Sequence, residues 1–379
     1  MKEKIKIIIA ADLVPTQSNI EYFKTKNMDA LIGHELVTLL KSADIRIFNL
    51  EAPITERRDK IIKSGPHLKI DPVAINGIIE LNPSVLSLAN NHIKDYGENG
   101  IRDTIDYLRN NDIPYVGVGE NIDKAREGVT ITIKGHIISV ISFAEHEFSI
   151  ARDNQCGANP YDPLTSFDDV KRIAERSDYV IVLFHGGKEH YRYPTVEQKR
   201  ICNKFLSVGA NIVVCQHSHC IGAAENINGG VAVYGQGNFI FNLCDDERWK
   251  SSLLIEIELC ELSSISYIPI VKCGATIRIA NEEEAIHIID GFESRCKEIL
   301  EEGFLEKNQK IAAKRAANYY LKKLHGAGFF FRVLDKILSG RIIRYIYRHS
   351  SIRAELLNCI ECETHREFIT DYLRNSLID

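Results

Sequence analysis

The sequence has no run of roughly 18 uncharged apolar residues, the length a membrane-spanning helix requires. Its opening, MKEKIKIIIAADL, offers only a short apolar run before Asp12, too short for the apolar core of an export signal, and it reads as a first strand. Compositional bias of the disordered kind is also missing, since 45% hydrophobic and 26% charged residues are ordinary for a globular protein. Zinc-type spacing is incomplete: Cys359 and Cys362 form a lone CxxC with only His349 and His365 nearby to act as a second ligand pair. Without an export signal, the ten cysteines read as reduced thiols of a cytoplasmic protein. No nucleic-acid motif accompanies the basic residues, so no nucleic-acid partner is expected.

What is present, up to about residue 260, is strand followed by helix. Strands are expected over 5–12, 45–51, 85–91, 136–145, 179–187, 211–219, 230–239 and 252–259, the last with the alternation of a half-exposed edge. Helices are expected around 28–42 and 97–110. This alternation predicts an α/β fold, and so many strands fit two sheets packed between helix layers. Beyond about 282 the strand-like runs stop and helical periodicity takes over, which divides the chain into domains 1–281 and 282–379. Residues 307–348 hold eleven Lys and Arg against one acid, Asp335, a net +10 in a chain of −5 overall. Aromatics are interleaved with these cations in GAGFFFRVLDKILSGRIIRYIYR. That pattern suits an anionic membrane surface, a protein partner or the acidic remainder of the chain itself.

Five strand ends carry groups able to bind metal: Asp12; Asn49 and Glu51; Asn91 and His92; His185; His217 and His219. Any one of them could be a helix cap or a hydrogen-bonded core residue. Five in the same topological position point to a ligand crevice at the carboxyl ends of strands. Carboxylate, amide and imidazole without thiolate suit one or two divalent ions of the Mn, Fe, Ni or Zn class. His217 and His219, two residues apart, face opposite sides on an extended strand. At a bend they could share an ion, or one could bind while the other orients it. Asp95, three residues after His92, could orient that histidine or cap the helix introduced by Gly97. Lys63 and Arg192 are candidates for holding an anionic substrate. Glu145, in the strand-end run AEHEF, and Glu189, in HGGKEHYRYP, are read as lining the same cleft. Tyr234 and Asn238 are expected to shape its floor, with Gly235 and Gly237 permitting a tight backbone.

NLEAPIT (49–55), LANNHIKDYGENGIRDTIDYL (88–108), YVGVGEN (115–121), FHGGKEHYRYP (184–194), CQHSHCIG (215–222) and VYGQGNFIF (233–241) together resemble the CapA family, named for capsule and poly-γ-glutamate synthesis. The resemblance spans about residues 5–260, and that family is similar to the calcineurin-like metallophosphoesterases. It implies a four-layer α-β-β-α sandwich with a helical C-terminal extension outside the resemblance. By position it implies metal ligands at Asp12, Asn91, His185, His217 and His219, a bridging carboxylate at Glu51, a proton-donating His92 and its orienting partner Asp95. One departure stands out: the superfamily's opening Asp-x-His would put histidine at position 14, where this chain has Val14.

The function expected from these residues is metal-dependent hydrolysis, phosphoesterase-like, of an anionic intermediate or polymer in bacterial surface-polymer synthesis. Amide hydrolysis at the same centre is a variant of it. A second expectation, favoured by Val14, is a non-catalytic scaffold of a polymer synthesis or export complex. In either case the basic helices offer attachment to the inner face of the membrane or to a partner.

Overall fold

A computed structural model of the chain describes residues 3–259, 263–326 and 328–375. In chain order the strands are β1 (Ile5–Val14), β2 (Ile45–Leu50), β3 (Val85–Ser87), β4 (Tyr115–Val116), β5 (Val118–Gly119), β6 (Val129–Ile133), β7 (His136–Ala144) and β8 (Gly157–Ala158). They continue with β9 (Tyr179–His185), β10 (Ile212–Gln216), β11 (Ala224–Ile227), β12 (Gly230–Val233), β13 (Asn238–Phe241), β14 (Ser251–Leu259), β15 (Ser264–Cys273) and β16 (Thr276–Ile279). One sheet runs β16-β15-β14-β1-β2-β3-β4, with β13 also paired to β1, and a second runs β11-β12-β10-β9-β7-β6.

The alternation of each strand decides the layering. Ile5, Ile7, Ile9, Ile45, Ile47 and Val85 of the first sheet meet Ile138, Val140, Ile181, Leu183, Ile212 and Val214 of the second in one buried cluster, so the two inner faces pack on each other. Ile8, Phe48 and Leu86 point the other way, onto helix residues Phe23, Leu36, Ile78, Ile101 and Leu108. Phe143, Val182 and Val213 pack on Val170, Ile201 and Phe205 from the helices Ser166–Ala174 and Val196–Ser207. The result is the four-layer α-β-β-α sandwich. Each fully buried aliphatic contributes about 1.5–3 kcal/mol relative to exposure.

Several boundaries differ from those read in the sequence. The expected helix over 28–42 is two, Met28–Ile32 and His34–Ser42, broken at Gly33, whose φ of 79° suits glycine. The expected edge strand, β14, lies inside the sheet between β1 and β15; its alternating Glu256 and Glu258 are paired with Lys6 (3.0 Å) and Lys4 (2.7 Å) rather than solvated alone. The expected strand over 85–91 ends at Ser87, and the one over 230–239 is split into β12 and β13.

The chain divides into two compact units, Met1–Leu305 and Glu306–Asp379. Helix Glu282–Glu298, grouped above with the C-terminal extension, belongs to the first: Phe292 is 3% exposed and its ring lies 4.6 Å from that of Tyr267 on β15. In the second unit the described residues form helices and their connections, and residues 376–379 lie outside the description. Among the described residues no helix is long and apolar enough to cross a membrane. The nine described cysteines are free thiols.

Candidate metal centre

The strands that bear the strand-end residues run parallel. β1 pairs with β2 and β2 with β3, while β7, β9, β10 and β12 run together in the other sheet, so all deliver their carboxyl ends to one edge of the sandwich. β1 changes partner near its end, from antiparallel β14 at Ile5–Ile9 to parallel β13 from Asp12 onward. Register shifts fall at that change, between Ile9 and Asp12 against β2 and between Asp12 and Leu13 against β13. This irregularity seats Asp12 opposite both Asn49 and Asn238.

Two ligand groups form at that edge, Asp12–Glu51–His219 and Glu51–His185–His217, the ligand atoms of each lying within 4.8 Å of one another, with Glu51 common to both. All five residues are buried. Asn91 joins the second group, its Oδ1 3.0 Å from His185 Nε2. Beyond β10 the backbone enters the left-handed region at His217 (φ 93°) and His219 (φ 53°), costly conformations for residues with a Cβ. The two histidines therefore neither share a group nor act as ligand and orienter; each joins its own group.

The electrostatics fit a cation. Neither oxygen of Glu51 has a hydrogen-bond partner among the described residues. The nearest imidazole nitrogens are His185 Nε2 at 3.4 Å and His219 Nε2 at 3.9 Å. Burial, then the neighbouring Asp12 carboxylate, drives the Glu51 carboxyl well above its usual range. Burial also works against ionised Asp12, but the His219 contact and the Asn49 hydrogen bond outweigh it and hold Asp12 low. Burial brings His185 down to about 3 and His217 well below its ordinary value, so both imidazoles are neutral and offer lone pairs. Two carboxyls buried side by side, one without any donor, can both be ionised only with a positive charge between them. The donor set of carboxylate, amide and neutral imidazole suits a divalent ion.

Around the ligands a second set of contacts fixes their orientation. Asn49 Nδ2 donates to Asp12 Oδ1 at 2.7 Å and stands 3.2 Å from His185 Nδ1. His219 Nδ1 lies 2.9 Å from Asn238 Oδ1, and the Trp249 ring covers His219 at 4.6 Å between centroids. Trp249 Nε1 donates to His190 Nε2 at 2.9 Å. Gly235, with φ 146°, lets the floor pass close under the histidine loop; a Cβ there would stand 2.7 Å from Ser218 Oγ.

His92 sits beside the ligands with its own support. Its Nδ1 is 2.7 Å from Asp95 Oδ2, which makes Nδ1 the protonated nitrogen. Asp95 does not cap the following helix, whose N-cap is Tyr96 without a side-chain cap. It accepts instead from Leu68 N (2.7 Å) and pairs with Lys63, while Ile61 N donates to its carbonyl (3.1 Å). Asp95 thus both orients His92 and pins the long loop that follows β2.

The expected substrate-binding residues are arranged differently from a simple cradle. Lys63 has a side chain 3% exposed, with Nζ taken up by Asp95 and 3.2 Å from His92 Nδ1, so it supports the histidine rather than offering an open charge. Arg192 is held by Ile221 O at 3.4 Å and Glu247 at 3.6 Å. Glu145 follows β7 beside the centre, its N–H donating to His185 O at 3.0 Å, and burial raises its carboxyl pKa. Glu189 is exposed, and its charge bears on Glu51 and His219. Val14 is buried with β1. Asn49 and Asn238 take orienting roles, and Trp249 and His190 add support, that the strand-end pattern does not mark. Asn49 was visible beside Glu51, but Trp249 lies in the charged stretch DDERWK, where no periodicity marks it.

The family model described as bacterial capsule synthesis protein PGA_cap matches residues 6–243. The capsule biosynthesis protein CapA of Bacillus anthracis is 27% identical over 273 residues, covering 68% of this chain and 64% of that protein. The PGA biosynthesis protein CapA of Bacillus subtilis (strain 168) is 27% identical over 228 residues, covering 58% of this chain and 59% of its own length. The chain therefore spans somewhat under two thirds of these relatives. Among solved structures, a phosphatase from Mycoplasma pneumoniae is similar with a TM-score of 0.47 at 15% identity, over 72% of this chain and 96% of that one.

Proposed function

This chain belongs to the bacterial capsule synthesis protein PGA_cap family, and we propose that it is a metal-dependent hydrolase, phosphoesterase-like, acting on an anionic intermediate or polymer of surface-polymer synthesis. The observation that supports this most is Glu51: a fully buried carboxylate without a donor, shared by two ligand groups. Asp12, Glu51 and His219 would hold one divalent ion of the Mn, Fe, Ni or Zn class, and Glu51, Asn91, His185 and His217 a second. Such ions, when bound, neutralise charge on the substrate's oxygens and activate water at neutral pH.

The chain's own residues supply the rest. His92, as the imidazolium, gives its Nε2 proton to the departing group and is left as the neutral ring with its proton on Nδ1, while the Asp95 carboxylate accepts from Nδ1–H and stabilises the cation before transfer. Lys63 fixes the Asp95 carboxylate, and through it the direction of the imidazole. Asn49 and Asn238 hold Asp12 and His219 in place. Purified protein is expected to contain divalent metal, and His92→Ala to lose about 10²–10⁴-fold in turnover of an aryl phosphate while keeping that metal. A metal-free, folded wild type contradicts the reading.

Val14 favours a second reading, a scaffold that keeps the site without turnover, because the group around Asp12 then has three ligands only. In that case wild type and His92→Ala hold metal alike and neither turns over substrate.

A further inference from the structure

We propose that the helix Phe329–Ile337, with the short helix Arg341–Ile346 after it, forms a face that docks on an anionic phospholipid bilayer. This stands independently of the hydrolase reading. The helix is turned inside out relative to an ordinary surface helix. Its buried residue is the acid Asp335, 0% exposed, which accepts from Ile342 N (3.0 Å) and Ile343 N (3.1 Å) and pairs with Lys322 at 2.5 Å. Its outward residues are apolar: Phe329 is 69% exposed, Phe330 87%, Leu334 51% and Ile337 72%, and at 100° per residue these four fall on one side. Arg332, Lys336, Arg341 and Arg344 are exposed on the same pair of helices, and Tyr345 is exposed with the Arg348 guanidinium 4.1 Å over its ring.

Charge selects the occupant. Across residues 307–348 the one acid is Asp335, and it is buried, so the charge this segment presents outward is entirely positive. A second copy would bring the same cations against themselves. A bilayer with anionic headgroups offers negative charge at the rim and hydrocarbon behind it, matching basic residues beside Phe330 and Ile337. Since no described helix can cross a membrane, the pair would lie in the interface plane.

The test is flotation of the full-length chain with vesicles of phosphatidylcholine alone or mixed with phosphatidylglycerol. Binding is expected only to the anionic vesicles and should weaken as salt shortens the screening length. The double substitution Phe330→Ser with Ile337→Ser should lower partition about tenfold or more. Lys336→Gln with Arg344→Gln, a surface change that leaves the apolar residues in place, should lower it as well. Wild type that stays unbound, equal binding to uncharged vesicles, or double variants that both float as well as wild type overturns the proposal. So does a lipid-free dimer, seen by light scattering, that Phe330→Ser with Ile337→Ser dissolves, which would assign the face to a second copy.

Discussion

The two halves of the strand-end centre share Glu51 but are built differently. On the histidine side, Glu51 is joined by His185, His217 and Asn91, and burial keeps both imidazoles neutral. On the acid side, Asp12 and Glu51 meet a single imidazole, His219, whose pKa lies above its ordinary value: burial opposes its charge, but the Asp12 contact outweighs it. Val14, where the resemblance to the metallophosphoesterases implies a histidine, is buried in the core. The acid side makes up for fewer ligands with more support, since Asn49 holds Asp12, Asn238 holds His219, and Trp249 covers the ring. The shared carboxylate thus joins two unequally furnished groups, one richer in candidate ligands and the other in supporting contacts.

That contrast can be tested by substitution. His217→Ala should cost the chain about one equivalent of metal by elemental analysis, because it removes a ligand from the better-furnished side, and Asp12→Ala should empty the other side. Equal, complete loss from both variants would mean that the two sides act as one. Next in size, Lys63→Met should lower turnover by about 10- to 100-fold with metal content unchanged, and Lys63→Arg should restore most of it, as expected of a residue that acts through Asp95 and His92. Asn238→Ala should weaken the acid-side ion by about 10- to 100-fold in a chelator titration and leave the histidine-side step where it was.

The smallest effect serves as a control. Glu284 accepts from Arg278 and completes the Asn281 capping box, contacts that hold its carboxyl down to about 2. A depressed carboxyl stabilises the fold above its unfolded value, and that stability is lost as pH falls through the folded one. Thermal melts should therefore show wild type losing more stability than Glu284→Gln between about pH 4.5 and pH 2. Metal content at neutral pH should not change.

Much of this was legible in the sequence, for physical reasons that can be named. Apolar runs ending in Asp12, Glu51, His185 and His217 mark parallel strands and their carboxyl ends, because a strand buried on both faces has no other place for such groups. The pairing of His92 with Asp95 was open to two readings, since a three-residue spacing serves a cap as well as a hydrogen bond; the 2.7 Å contact and the uncapped Tyr96 decide it. Lys63 could not be placed, because the loop that brings it to Asp95 has no periodicity. The same holds for Trp249. The sharing of Glu51 between two groups depends on the register between β1 and β2 and on the packing of one sheet against the other, which no local pattern encodes.

The shared carboxylate is tested most directly by the metal content of the purified full-length chain, wild type against Glu51→Gln, with melting curves to show that both are folded. Wild type should retain one or two divalent ions through dialysis, and Glu51→Gln, which keeps the side chain's shape but removes its charge, should lose metal from both sides. A folded wild type without metal, or a Glu51→Gln protein that holds as much metal as wild type, would contradict the account.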